Sequence, residues 1–301
     1  MRIVYCGTPV DAVPPLRALV AAGHDVTLVL TQPDRRRGRR AEPTPSPVRA
    51  ASEELGLPVH APDRAGAETD AVRATGAELG VVVAYGQLLP PALLDALPLG
   101  FVNLHFSLLP RWRGAAPVER AMLAGDAETG VCVMRLDAGL DTGPVYACER
   151  TAIRAEETAG ELRARLVELG TELLVATLPE VGRRDPEAQV GEPTHAAKLE
   201  VDEFRLDPTR RAEELARLVR AGNPRPGAWG TVDGRRLKVL RAHPETAGPE
   251  VVPGVIDPDA RLGTRAGVLV LDEVQPEGKA AMSGVAWRRG VTIPDLAMDP
   301  T

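Results

Sequence analysis

Asn103 and His105 stand two residues apart at the end of an apolar run, Phe101-Val-Asn-Leu-His-Phe-Ser-Leu-Leu-Pro-Arg-Trp-Arg-Gly-Ala-Ala-Pro117. They alternate with Val102, Leu104 and Phe106, which predicts a strand, and period two puts the amide and the imidazole on one face. A loop broken by proline and glycine follows at once. An amide donor beside an imidazole, where a strand exits into a loop, can steady a carbonyl oxygen as it gains charge and can move a proton. Asp141 lies in the turn-rich loop 137–143, after the next predicted strand, within reach of His105 if the two strands are neighbours. A carboxylate there fixes the ring and stabilises positive charge on it. The plainer reading of Asp141 is a turn former ahead of Thr142-Gly143.

Other chemistries lack their residues. His24, His60, His195 and His243 fall at strand ends or in a linker and read as structural or solvent-facing. No His/Cys spacing suits a metal, and no G-x-S-x-G elbow offers a serine nucleophile. The first strand is not followed by G-x-G-x-x-G, which counts against a dinucleotide and a nicotinamide oxidoreductase.

The elements that must position the pair follow from periodicity. Residues 2–6 read as a strand, 15–20 as a helix stopped at Gly23, and 25–31 as a second strand, an opening that predicts a parallel sheet. Helices are expected over 48–55, 72–79, 90–97, 118–123 and 160–178, with strands at 58–60, 81–84 and 129–136. Residues 183–206 show no sustained periodicity and read as a linker. After a short helix over 210–221 the pattern turns to short strands: 229–232 and 237–242 around Asp233-Gly234, a hairpin signal, then 251–256 and 267–274. A β-rich module of this size fits an OB-like barrel. The expected division is 1–185, an α/β catalytic domain with a parallel-rich sheet; 186–207, the linker; and 208–301, the β-module.

At 301 residues, 44% apolar and 26% charged, the chain suits a globular protein of about two domains. Basic charge is almost all arginine, since Lys198, Lys238 and Lys279 are the only lysines. A net charge of −6 argues against coating nucleic acid with the whole surface, but leaves room for a basic patch. Such a patch exists: Arg35, Arg36, Arg37, Arg39 and Arg40 crowd six positions. Their repulsion predicts an extended, mobile loop, either a solvated charge run or a segment that orders on a polyanion. Cys6, Cys132 and Cys148 form no C-x-x-C pair, and the expectation is buried thiols in a reducing compartment with no disulfide. The N-terminus enters a strand directly and no run approaches a membrane span, so the expected location is cytoplasmic.

Asn103-Leu-His105-Phe-Ser-Leu-Leu-Pro110, Arg113-Gly-Ala-Ala-Pro117, Thr129-Gly-Val131 and Leu140-Asp-Thr-Gly143 resemble the signature of the 10-formyltetrahydrofolate-dependent formyltransferases. Gly7-Thr-Pro9, Gln32-Pro-Asp-Arg35, Pro45-Ser-Pro-Val48, Val83-Ala-Tyr-Gly86, Thr194-His-Ala-Ala-Lys198, Asn223-Pro224 and Gly278-Lys-Ala-Ala-Met-Ser283 resemble, in order and spacing, the methionyl-tRNA branch of that family. The likeness spans nearly the whole chain.

The resemblance implies a Rossmann-like catalytic domain with an OB-like C-terminal domain. It also implies formyl transfer from 10-formyltetrahydrofolate, a co-substrate used without a metal, to the α-amine of methionine on initiator methionyl-tRNA. By the same match Asn103, His105 and Asp141 are the catalytic set. Ser107, Leu108, Leu109 and Pro110, with Tyr85 and Gly86, line the folate site. The five arginines of 35–40 and, on the barrel, Arg235 and Lys238 meet tRNA, with Arg236 and Arg241 as further basic positions. The expected partners are initiator methionyl-tRNA and folate, with no membrane, and the expected state is a monomer.

The chain departs from the family pattern in places. After Gly38 it runs Arg-Arg-Ala-Glu where lysines are usual. Asp11 stands where phenylalanine is usual, Pro208 and Arg225 replace tryptophans, and Phe106 is bulkier than its counterpart. The competing readings are a nucleotide-amino-sugar N-formyltransferase, a glycinamide ribonucleotide formyltransferase, and a non-catalytic RNA-binding protein. The last leaves the Asn103/His105 pair without a purpose.

Overall fold

The computed structural model describes residues 1–36, 42–245, 251–293 and 296–299. Contacts divide the chain into two compact units. The first is Met1–Gly114, Glu128–Thr151 and Arg163–His195; the second is Ala115–Ala127, Ala152–Leu162 and Ala196–Thr301.

In chain order the elements are β1 (Arg2–Gly7), α1 (Val13–Ala21), β2 (Asp25–Leu30), β3 (Arg35–Arg36), β4 (Pro43–Thr44), α2 (Pro47–Glu54), β5 (Val59–His60), α3 (Thr69–Ala74), β6 (Leu79–Val83), α4 (Pro91–Leu94), β7 (Phe101–His105), β8 (Arg113–Gly114), α5 (Pro117–Ala124), β9 (Glu128–Arg135), β10 (Val145–Ala152) and α6 (Ala159–Thr177). They continue with β11 (His195–Ala196), α7 (Ala212–Gly222), β12 (Ala228–Val232), β13 (Arg235–Glu245), β14 (Arg261–Gly263), β15 (Val268–Pro276), β16 (Met282–Ser283) and α8 (Gly284–Arg289).

The first unit is built on a seven-stranded sheet of order β10-β9-β7-β6-β1-β2-β5. β1 runs parallel to β2 and β6, β2 to β5, and β6 to β7. β9 runs antiparallel to β7. The chain leaves β1 toward β2 and β5, then returns to β6 on the other side, so the order reverses at β1. Loops leaving the C-terminal strand ends at such a switch point form the ligand crevice of open α/β sheets.

The central strands are mostly apolar because both faces are covered. Every residue of β6 and β7 is buried. Val4, Cys6, Leu28, Leu30, Val82 and Phe101 join Val72, Leu93 and Leu97 in one core cluster. Gly80 is small for a reason: a Cβ there would sit 2.0 Å from the Phe101 ring on the neighbouring strand. α2 and α6 start on side-chain caps. Ser46 accepts the Arg49 N–H at 3.0 Å ahead of Pro47. Thr158 and Glu161 exchange backbone and side-chain bonds as a capping box for α6.

The second unit holds a five-stranded antiparallel sheet of order β12-β13-β15-β14, with β16 on β15. Asp233 and Gly234 both take positive φ, 52° and 69°, as a two-residue hairpin turn requires. α7 buries Leu215, Leu218 and Val219. Arg288 is buried by donating to the carbonyls of Ile256, Val291 and Ile293.

Several expectations from periodicity do not hold. The helix expected over 72–79 is α3, which ends at Ala74; Gly76 then takes φ 62° and the chain enters β6. The helix expected over 90–97 ends at Leu94. The strand expected at 251–256 reduces to isolated bridges at Val255 and Ile256. β10, β14, β16 and α8 were not foreseen. The missing β10 explains the cysteine error. Cys132 and Cys148 are disulfide-bonded, with only Cys6 free and buried. Without a strand at 145–152 nothing placed Cys148 beside Cys132, which lies on the neighbouring β9. Arg35–Arg36 forms a short antiparallel ladder with Pro43–Thr44 rather than an unpaired loop. Arg37, Arg39 and Arg40 lie outside the described residues.

Candidate active site

Loops from three central strands meet at the C-terminal end of the sheet. The Thr8 hydroxyl, after β1, donates to the Tyr85 carbonyl after β6 at 2.7 Å, and Gln32 Nε2, after β2, donates to the same carbonyl at 3.0 Å. Gly86 takes φ 82°, and a Cβ on it would lie 2.3 Å from Gln32 Nε2. Only glycine suits both the conformation and the space. The Tyr85 ring belongs to the hydrophobic core rather than to the crevice. Its buried hydroxyl has no hydrogen-bond partner among the described residues. Burial, and then the nearby Cys6 and Glu68, push that phenol well above its ordinary range.

β7 delivers Asn103 and His105, both buried, to one face. The Asn103 amide makes no hydrogen bond among the described residues, so its donors remain available. His105 Nε2 lies 3.0 Å from the Trp112 carbonyl. A carbonyl only accepts, so Nε2 carries hydrogen and Nδ1 is the nitrogen turned to the other side. There, Asp141 Oδ2 stands 3.6 Å from Nδ1, with both side chains nearly buried at 6% and 12% exposure. That distance is beyond a hydrogen bond, so Asp141 acts on the ring through charge. The same Oδ2 accepts the Gly114 N–H at 2.8 Å, which fixes the carboxylate.

The turn after β7 is held internally. Ser107 is fully buried and its hydroxyl donates to the Arg111 carbonyl at 2.6 Å. Leu108, Leu109 and Pro110 are only partly buried and present apolar surface. Leu108 also approaches Gly130, whose Cβ would lie 2.6 Å from it. The structure therefore brings His105 and Asp141 together beside Asn103.

Sequence reasoning missed four participants: the Trp112 carbonyl, the Gly114 N–H, Gln189 and Thr194. Gln189 Nε2 donates to the carbonyls of Asp141 and Gly143 at 2.9 and 2.8 Å. Its Oε1 accepts from Arg113 Nε and Nη2 at 3.0 and 2.7 Å. Thr194 Oγ1 accepts the Trp112 N–H at 2.8 Å. Main-chain groups leave no signal in side-chain types, and Gln189 sits in a stretch without periodicity. Gly114 and Thr194 fell within resembling motifs.

The basic residues of the second unit are only partly engaged. Arg235 is exposed at the start of β13. The Arg236 guanidinium lies 4.0 Å from the Trp229 ring centroid. Lys238 is half-buried on the same strand, and Arg241 pairs with Glu161. No group of three or more His, Cys, Asp or Glu side chains suited to a metal occurs among the described residues.

The family description "Formyl transferase" matches residues 1–178, and "Formyl transferase, C-terminal domain" matches 198–292. Over 301 aligned residues the chain is 48% identical to the methionyl-tRNA formyltransferase of Dinoroseobacter shibae, covering 98% of this chain and 99% of that one. It is 48% identical to that of Thermus thermophilus over 297 residues, 97% of each. Among solved structures, HypX from Aquifex aeolicus in complex with tetrahydrofolic acid shares the fold at a TM-score of 0.70 and 16% identity. That likeness covers 100% of this chain and 49% of HypX. With an amide, an imidazole and a carboxylate gathered at the C-terminal end of β7, and near-half identity running end to end, the chain belongs to the methionyl-tRNA formyltransferase family.

Proposed function

We propose that this chain transfers the formyl group of 10-formyltetrahydrofolate to the α-amino group of methionine carried by initiator tRNA, readying that tRNA for translation initiation. The full-length likeness to methionyl-tRNA formyltransferases supports the substrates. The observation that carries the chemistry is the His105 ring, engaged at both nitrogens beside a free Asn103 amide.

Bound 10-formyltetrahydrofolate supplies an activated formyl carbon for attack by the neutral amine. Asn103 donates to the formyl oxygen as negative charge builds there, and the His105 ring beside it supports that charge electrostatically. Asp141 orients the imidazole, stabilises positive charge on it, and assists removal of the amine proton toward the leaving nitrogen. Leu108, Leu109 and Pro110, with Leu88 exposed on the loop after β6, suit a flat heteroaromatic ring. Gly86 lets the main chain approach it, while Ser107 serves by holding the turn. Residues 1–185 act as the catalytic module and 208–301 as the tRNA-binding module, joined by 186–207. Arg35, Arg36, Arg37, Arg39 and Arg40, with Arg235 and Lys238, neutralise tRNA phosphates. The net charge of −6 disfavours unrelated RNA.

No described helix is long and apolar enough to cross a membrane. Work on a charged tRNA places the protein in the cytoplasm, and a catalytic set contained in one chain supports a monomer as the active unit. The test supplies purified protein and 10-formyltetrahydrofolate with either methionyl initiator tRNA or an amino-sugar nucleotide. Formyl-methionyl-tRNA alone is expected. Formylation of the sugar alone overturns the acceptor, and tRNA binding without turnover overturns catalysis.

A further inference from the structure

Asp141 lies in a loop that has to be held off its relaxed course. Its φ is 52°, a left-handed value uncommon for a residue with a Cβ. The carboxylate is fixed by Gly114, but the main chain beneath it is fixed by Gln189. One amide group closes four hydrogen bonds there. Two donate to the Asp141 and Gly143 carbonyls, which flank the turn, and two are accepted from one guanidinium, that of Arg113. Arg113 is the residue next to Gly114. Gln189 therefore ties the loop carrying Asp141 to the strand whose N–H grips the Asp141 carboxylate. Five residues further on, Thr194 Oγ1 holds the N–H of Trp112, whose carbonyl accepts from His105. Thr194 also accepts the Arg113 N–H through its own carbonyl at 2.9 Å.

We propose that Gln189 is a positioning residue for formyl transfer. It sets the distance and direction between the Asp141 carboxylate and His105 Nδ1, and Thr194 plays the matching part for Nε2. This rests on the reading of Asp141 and His105 as catalytic. Gln189 touches neither substrate, so its loss shows in turnover and not in binding. The chemistry of the amide is specific to the task. Only a group with a donor and an acceptor on one planar head meets two carbonyls and a guanidinium together. Glutamate keeps the Arg113 contact but turns an oxygen toward two carbonyl oxygens. Methionine keeps the length and loses both.

The test measures steady-state formylation by full-length Gln189→Glu, Gln189→Met, Asp141→Asn and the double variant Asp141→Asn/Gln189→Met, with melting curves for each. The two Gln189 single variants are expected to lose kcat by ~10–100-fold, the scale of a misplacement of about 1 Å in a catalytic group, with KM for both substrates unchanged. Because Gln189 acts through Asp141, the double variant is expected to be no slower than Asp141→Asn alone. If Gln189→Met fails to fold, Gln189→Glu, which retains the Arg113 pairing, carries the test. Thr194→Ser should keep parental turnover and Thr194→Val should not. Parental kcat in the Gln189 variants, a change in KM only, or losses that multiply in the double variant overturn the proposal while leaving Asp141 catalytic. Full turnover by Asp141→Asn removes the catalytic reading itself and the proposal with it.

Discussion

Asp141→Asn isolates the charge of the Asp141 carboxylate. The substitution keeps the size of the side chain and an oxygen for the Gly114 N–H, so the loop has no reason to move. What disappears is a negative charge 3.6 Å from His105 Nδ1. Two unit charges at that separation attract by about 4–5 kcal/mol at an effective dielectric of about 20, the value suited to protein sites. Only the part that grows between bound substrate and transition state affects kcat, because attraction present in both cancels. If the ring takes most of its charge as the amine proton leaves, about 3–4 kcal/mol is lost. At 1.36 kcal/mol per tenfold that is a fall of ~10²–10³ in kcat. The KM for methionyl-tRNA should hold, since Asp141 contacts no part of the tRNA in the proposed arrangement. The assay separates formylated from unformylated methionyl-tRNA over time under saturating folate, with the melting temperature as a check on the fold. A kcat within a few-fold of the parent, in a folded variant, refutes the electrostatic role. A large rise in KM with kcat intact assigns Asp141 to binding instead.

Asn103→Ala removes a donor aimed at the developing oxyanion and should lower kcat by ~10²–10³ with melting unchanged; near-parental turnover takes Asn103 out of the mechanism. Arg39→Ala should raise KM for methionyl-tRNA and flatten the dependence of log KM on log salt by about one phosphate contact. An unchanged slope returns the arginine run to a solvated surface. Glu161 is held down to about 2, first by the Thr158 N–H and then by Arg241. A depressed carboxylate stabilises the fold fully above its unfolded pKa and loses that contribution as pH falls toward 2. Melting temperature should therefore drop through that acid window, and Glu161→Gln should flatten the drop; an identical acid profile in the variant discounts the pair.

Where burial repeats with a period, the sequence was legible. Alternation in residues 101–105 put Asn103 and His105 on one face, and a continuous apolar run marked β6 as a strand covered on both sides. Asp233-Gly234 marked a hairpin because few residues tolerate two successive positive φ values. β10 was illegible for the opposite reason. Its burial runs half-buried, buried, half-buried and then exposed, as an edge strand needs no sustained apolar face. With it went the Cys132–Cys148 bridge. The short helix α8 carries only six residues, too few for a periodic signal.

The site was half legible, and the division follows from the chemistry. The proposed roles of Asn103, His105 and Asp141 belong to side chains, which the sequence displays. Their supports act through Trp112 O, Gly114 N, Asp141 O and Gly143 O, groups every residue owns. Conformation selects three of those four residues from the rest. Trp112, Gly114 and Asp141 all take positive φ, 62°, 122° and 52°, and two of the three carry a Cβ. Each such departure costs about 1–3 kcal/mol and persists only where surrounding bonds over-determine it. The bonds that do so here come from Thr194 to Trp112 and from Gln189 to Asp141. A stretch without periodicity, which reads as mere connection between two modules, is thus what keeps two strained residues on either side of the His105 ring. Relaxation of either one would swing a carbonyl or a carboxylate away from an imidazole nitrogen. The site's precision therefore depends on residues that the strand pattern cannot reveal.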